Sequence, residues 1–208
     1  MVDKHLREFL TASKYIDSRH SSIVAKAQAL AENAQNEVDL IKACFEYVRD
    51  DIKHSQDFQL NPVTVVASDV LRFGTGYCYA KSHLLAALLR ANQVPAGLCY
   101  QRLTIDGDQP PFCLHGLNAV YLEPYGWLRL DPRGNKVGIN VQFNPPAESL
   151  AFSVVALGES DAPFVYAEPL SIVTDVLERC ETIEQVESSL PDCELGNFPK
   201  SEPLTLFL

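Results

Sequence analysis

No stretch of this 208-residue chain approaches the ~18 to 20 consecutive apolar residues that a membrane-spanning helix requires. The N-terminal MVDKHLREFLTASKYIDSRH has no apolar signal-peptide core, so a soluble, cytoplasmic protein is expected. Cysteines paired at C-x-x-C spacing are also missing: the six stand at 44, 78, 99, 113, 180 and 193. At 47% hydrophobic content the chain can bury one sizeable core without disulfide staples. Most cysteines are therefore expected as small buried side chains, above all Cys44 in IKACFEYV and Cys99 in AGLCYQRL. Cys180 and Cys193 lie in polar C-terminal surroundings. Positive charge is in deficit. Seventeen Lys and Arg face 27 Asp and Glu, and a net charge of −10 argues against nucleic acid and anionic membranes as partners. The acidity is spread along the chain, as on an ordinary solvated surface. Internal repeats, low-complexity tracts and long linkers are absent from the sequence.

What is present reads as helices followed by strands. Leu6, Phe9 and Leu10 predict a first helix over about 3–17, and Ser21 or Ser22 is placed to cap a second carrying Ile23, Ala27 and Leu30. Val38, Ile41, Phe45 and Val48 predict a third over about Glu37–Ile52. After Asn61-Pro62, residues 63–66 are β-rich, while Ser68-Asp69-Val70-Leu71-Arg72 fits a short helix. From Cys78 to about Asn92 Leu84, Leu85, Leu88 and Leu89 with interleaved Ala predict a centrally buried helix, ended at Val94-Pro95. Strands are then expected over Ala96–Leu103, Leu114–Leu122 and Trp127–Leu130, joined by turns at Asp106-Gly107-Asp108 and Pro124-Tyr125-Gly126. Short turns imply an antiparallel sheet, hence an α+β class. Residues 148–157 are expected as a strand or short helix. Ser171–Arg179 and Thr182–Ser189 are expected as helices, and the last ten residues as a loose tail.

The chemistry concentrates at Gly74-Thr-Gly-Tyr-Cys78-Tyr-Ala80, where a glycine-rich turn enters the central helix. Backbone N–H groups and the helix dipole there favour a thiolate, and the Cys78 N–H is placed to meet a developing oxyanion. Gly74 and Gly76 permit the bend and the approach of a substrate carbonyl. His115 opens one strand and Asp131 closes the next; a hairpin about Gly126 would bring them together and fix the imidazole tautomer. Cys78, His115 and Asp131 thus form a candidate nucleophile, base and orienting acid. Each alone also has a bland reading: a packed cysteine, a satisfied histidine, a turn-forming Asp-Pro.

These residues resemble the transglutaminase-like superfamily, which includes transglutaminases, cysteine proteases and amidases. The resemblance covers about residues 40–145 and rests on FEYVRDDIKH, GTGYCYAKSHLLAALLRANQVPAG, HGLNAVYL and GWLRLDPRGNK. It implies a papain-like fold with the nucleophile helix packed on an antiparallel sheet, and places Cys78, His115 and Asp131 on the family's triad. It implies an acyl-enzyme on peptide or isopeptide amides, with hydrolysis expected and protein-glutamine acyl transfer the alternative. A family His-x-Trp-x-Glu is replaced here by His115-Gly116-Leu117-Asn118-Ala119. Calcium is not implied, and the sequence has no D-x-D-x-D-G loop. Candidates for the second oxyanion donor are His54, Gln56 and Gln59. Tyr77 and Tyr79 are cleft candidates, and Arg133 and Asn135 either bind a polar group or close a turn.

One domain is expected: N-terminal helices over 1–60, a catalytic core over 61–158, C-terminal helices and tail over 159–208. No cofactor is expected. Two other readings compete. Cys78, Cys113 and His115 are metal-ligand types but lack paired spacing, and a non-catalytic binding module would keep the fold alone. Oligomeric state is not encoded in any recognisable pattern.

Overall fold

The computed structural model describes residues 4–123 and 125–204. In chain order, α1 (Ser21–Ala31) and α2 (Glu37–Asp50) lead to β1 (Lys53–His54), a short α3 (Ser55–Phe58), α4 (Ala67–Phe73) and β2 (Thr75–Gly76). Then come α5 (Cys78–Ala91), β3 (Ala96–Thr104), β4 (Phe112–Leu122) and β5 (Gly126–Leu130). The remainder contributes β6 (Ser160–Asp161), β7 (Phe164–Val165), α6 (Ser171–Arg179), α7 (Ile183–Glu187) and β8 (Glu202–Pro203).

Helix α5 organises the molecule. Every residue from Cys78 to Arg90 is buried, because its Leu and Ala side chains face neighbours all round: α1, α2 and α4 pack against it, and so do β3 and β4. Burying each such leucine contributes about 1.5 to 3 kcal/mol. The main sheet has the order β5-β4-β3-β6, all antiparallel. Leu98, Tyr100, Leu114 and Val120 join the core around α5. Cys99, Leu117, Ala119 and Trp127 form a second cluster with Phe9 and Val165. The α+β arrangement is the one that the residue patterns predict.

Several local expectations are corrected. The first helix, over 3–17, is replaced by two 3-10 turns at Lys4–Leu6 and Glu8–Leu10 and then irregular chain; residue 3 lies outside the described residues. Its carbonyls are drawn into tertiary bonds instead: Thr11 O accepts from Arg90 and Tyr15 O from the Ala67 N–H. The cap of α1 is His20, whose Nδ1 accepts from the Ser22 N–H, rather than Ser21 or Ser22. Val38 of α2 is exposed, at the edge of the stripe that buries Ile41, Phe45 and Val48. Residues 63–66 form no strand; the short-helix reading gives α4, closed by Gly74 at φ +66°.

Residues 148–157 form neither strand nor helix. Side chains take their backbone donors: Asp131 accepts from Ala151 N–H, and Glu159 from Val155 and Ala156 N–H. The expected loose tail is tied down as far as it is described, with Glu202 and Pro203 pairing with β7. Residues 205–208 lie outside the described residues.

Candidate active site

Cys78 is the first residue of α5, and its N-cap Tyr77 makes no capping bond through its side chain. The parallel pair β1–β2 sets this entry, holding Lys53 against Thr75 and His54 against Gly76. That pairing delivers His54 and, two residues later, Gln56 to the mouth of the helix. Strand β4 approaches from the other direction. A Cβ on Gly116 would lie 2.7 Å from Tyr79 Cδ1 and 3.2 Å from Tyr79 Cα, so only glycine lets the strand come this close. The Gly116 N–H then donates to Cys78 Sγ at 3.5 Å. Glycine after His115 inside a strand pattern was the available sequence signal for this contact.

The β4–β5 hairpin pairs Asn118 with Leu130, which carries Asp131 alongside His115. His115 Nε2 lies 2.8 Å from Asp131 Oδ2. Cys78 lies beside the imidazole closely enough to add to the charge that holds a proton on the ring. The structure therefore brings Cys78, His115 and Asp131 together, all three buried.

Asp131 additionally accepts from the Ala151 N–H at 3.0 Å and the Arg133 N–H at 3.2 Å. Burial alone would raise its pKa, but His115 and these backbone donors outweigh it and hold the carboxyl below its ordinary value. For His115, burial acts to lower the pKa; the Asp131 charge and hydrogen bond dominate, with Cys78 adding, and raise it to about 10. Phe152 stands edge-on to the His115 ring, 5.0 Å between centroids.

A cavity of about 450 Å³ opens onto Cys78 and His115. His54, Gln56 and Tyr77 line it. Gln56 Oε1 accepts from the Tyr77 hydroxyl at 3.2 Å, leaving its amide N–H groups as the free end of the side chain. His54 Nδ1 is buried with no hydrogen-bond partner, and burial followed by the Arg133 charge pushes its pKa well below the usual imidazole range.

One cleft candidate, Tyr79, and one oxyanion-donor candidate, Gln59, lie elsewhere. Tyr79 does not line the cavity: it is buried beneath Gly116 and its hydroxyl donates to Leu114 O. Gln59 is the left-handed C-cap of α3, and its amide donates outward to Gln56 O and Glu187. Arg133 is bound bidentately to Asp57 at 2.7 and 2.9 Å, and Asn135 closes a turn by bonding both backbone groups of Val141. Among the described residues no group of three or more His, Cys, Asp or Glu is placed to hold a metal ion. No helix described is long and apolar enough to cross a membrane.

The family model of the transglutaminase-like superfamily matches residues 24–132, a span that contains Cys78, His115 and Asp131. A candidate cysteine protease from Cytophaga hutchinsonii is similar in structure over 64% of this chain and 43% of its own, at 21% identity and a TM-score of 0.52. The periplasmic domain of TgpA from Pseudomonas aeruginosa is similar over 63% of this chain and 48% of its own, at 17% identity and a TM-score of 0.47. The chain thus spans less than half the length of either structure. No curated protein matches it. The first likeness supports the papain-like arrangement of a central helix on an antiparallel sheet. On the family match, this chain belongs to the transglutaminase-like superfamily, a family of cysteine-type enzymes.

Proposed function

We propose that the protein is a cysteine-nucleophile enzyme that hydrolyses amide bonds, peptide or isopeptide, through an acyl-enzyme on Cys78. The observation that carries this reading is the His115 Nε2–Asp131 contact at 2.8 Å in a cavity that also holds Cys78. Asp131 orients the ring and stabilises imidazolium; His115 holds and moves the proton; Cys78 attacks.

In the first half-reaction Sγ forms a bond to the amide carbon and the carbonyl oxygen takes up the electron pair. The N–H of Cys78 and the Gln56 amide are the donors proposed for that oxyanion. Collapse breaks the C–N bond, and His115 gives its proton to the departing amine. In the second half His115 takes a proton from water as the water oxygen attacks the thioester. The C–S bond breaks, the acid leaves, and thiolate and imidazolium are restored.

Capture of the intermediate tests the reading. The protein is mixed with an amide peptide library, quenched in acid and mapped by mass, with Cys78→Ala as control. The expected result is an acyl adduct confined to Cys78, with free acid accumulating. An added labelled amine that becomes the main acyl acceptor would replace hydrolysis by transfer. Absence of any adduct, or equal turnover by Cys78→Ala, would remove the enzyme reading.

A further inference from the structure

We propose that the groove between the N-terminal segment and the C-terminal end of α5 is a binding site for a phosphate-bearing small molecule, independent of the enzyme reading. The groove holds about 380 Å³ and is lined by Arg7, Arg19 and Arg90, with Ser18 among them. It lies at the far end of α5 from Cys78, roughly 18 Å along the helix axis. No aspartate or glutamate among the described residues lines it. Three guanidinium groups around one space are a local reversal of sign in a chain of net charge −10.

Two of these cations have no partner in the fold. Among the described residues, neither the Arg7 nor the Arg19 guanidinium makes an ion pair or a hydrogen bond, and both residues are exposed. Arg49, Arg102, Arg129 and Arg133 differ, each being held by a carboxylate. Arg90 is 1% exposed, and its partners are the carbonyls of Ala96, Thr11 and Ala167, at 3.0, 2.8 and 2.6 Å. Those bonds fix the guanidinium in place but bring it no counter-charge. Burial lowers its pKa to about 10, with Glu168 and Glu8 acting the other way, so it is charged at neutral pH. Neither glutamate lines the groove.

Ser18 points to a ligand rather than to a merely solvated surface. It is 4% exposed, yet its hydroxyl has no hydrogen-bond partner among the described residues. A polar group buried without a partner is costly, and a ligand oxygen in the groove would supply one. The end of α5 does not oppose an anion. Leu88 and Leu89 O accept from the Asn92 N–H, and Arg90 O from the Gln93 N–H, so these carbonyls are engaged. The helix dipole there is worth about half a charge, against three whole ones.

The donors select the ligand class. Guanidinium forks bind oxyanions in pairs, and a phosphate ester offers three oxygens and nearly two charges where a carboxylate offers two oxygens and one. Phosphate alone would leave much of the groove empty. Leu10 and Val24 also line it and suit the organic part of an ester. The overall negative charge repels a long polyanion, whereas a small ligand sits within a Debye length of the arginines.

Calorimetric titration of the full chain with inorganic phosphate, pyrophosphate and phenyl phosphate tests the site, with malonate as the dicarboxylate control and ionic strength held fixed. Saturable binding of the phosphates is expected, at least about 10-fold tighter for pyrophosphate and phenyl phosphate than for malonate. The double variant Arg7→Gln, Arg19→Gln is expected to weaken that binding at least about 10-fold, and Ser18→Ala about 3-fold. Neither guanidinium holds the fold, so the ligand-free Tm of the double variant should match the parent. No saturable binding of any phosphate probe at millimolar concentration would overturn the proposal. So would undiminished binding in the double variant, which would place the phosphate elsewhere, or malonate binding as tightly as the phosphates.

Discussion

At Asp131 three donors converge on one buried carboxylate, from His115, Arg133 and Ala151. The consequence for stability has a definite sign. His115 is raised from 6.5 to about 10, so its contribution is complete below pH 6.5 and is lost as pH rises through about 10. Asp131 is lowered from 3.8, so its contribution is present above pH 3.8 and is lost as pH falls through its lowered value. The pair stabilises most between pH 3.8 and 6.5. Asp131→Asn should flatten both limbs of a Tm-against-pH curve and cut turnover by roughly 100- to 10,000-fold. An unchanged curve would mean that the pair is not formed. The three triad residues were legible because each sits at a recognisable boundary: helix start, strand start, strand end. The Ala151 N–H and Phe152 were not, since a loop without periodicity gives no register to read.

Elements meet here through exceptions to their own rules. The Gly116 gap in β4 is one, and it makes a sharp prediction. Gly116→Ala should cost about 1 to 3 kcal/mol in urea unfolding, because β4 must move off the first turn of α5. It should also slow Cys78 chemistry by drawing the Gly116 N–H away from the sulfur. Stability within a few tenths of a kcal/mol of the parent would show that the contact is loose. Helix α5 supplies the other exceptions. Its leucines announced a buried helix, but its buried Lys81, His83 and Arg90 did not announce their partners. Lys81 Nζ donates to Ile52 O, His83 Nδ1 contacts Val65 O at 2.7 Å, and Arg90 bonds the carbonyls of Thr11, Ala96 and Ala167. These polar groups hold irregular segments against the core. That is why periodicity alone misread residues 11–17 as helix: the Thr11 carbonyl answers to Arg90 of α5 and the Tyr15 carbonyl to the Ala67 N–H of α4, both far away in sequence.

On the scale of the whole molecule, the candidate site exists only where α5, the β4 strand and the end of β5 come together. The order of helices before strands and the hairpin register were readable, because period and turn chemistry are local signals. The small pairs β1–β2 and β7–β8 were not, since two-residue strands carry no pattern. The same assembly sets the six cysteines apart. Burial raises Cys44 and Cys113 to about 12 and pushes Cys99 and Cys193 upward as well. Cys78 lines the same cavity as His115, whose imidazole is held protonated by Asp131. The most direct measurement is the rate of iodoacetamide alkylation at each cysteine, by mass mapping at pH 6, in native protein, in His115→Ala and in urea. The account predicts Cys78 to react at least about 10-fold faster than any other cysteine in the native protein, and to lose that lead in both other samples. Uniformly slow labelling, or a His115→Ala variant in which Cys78 reacts as fast as in the parent, would contradict it.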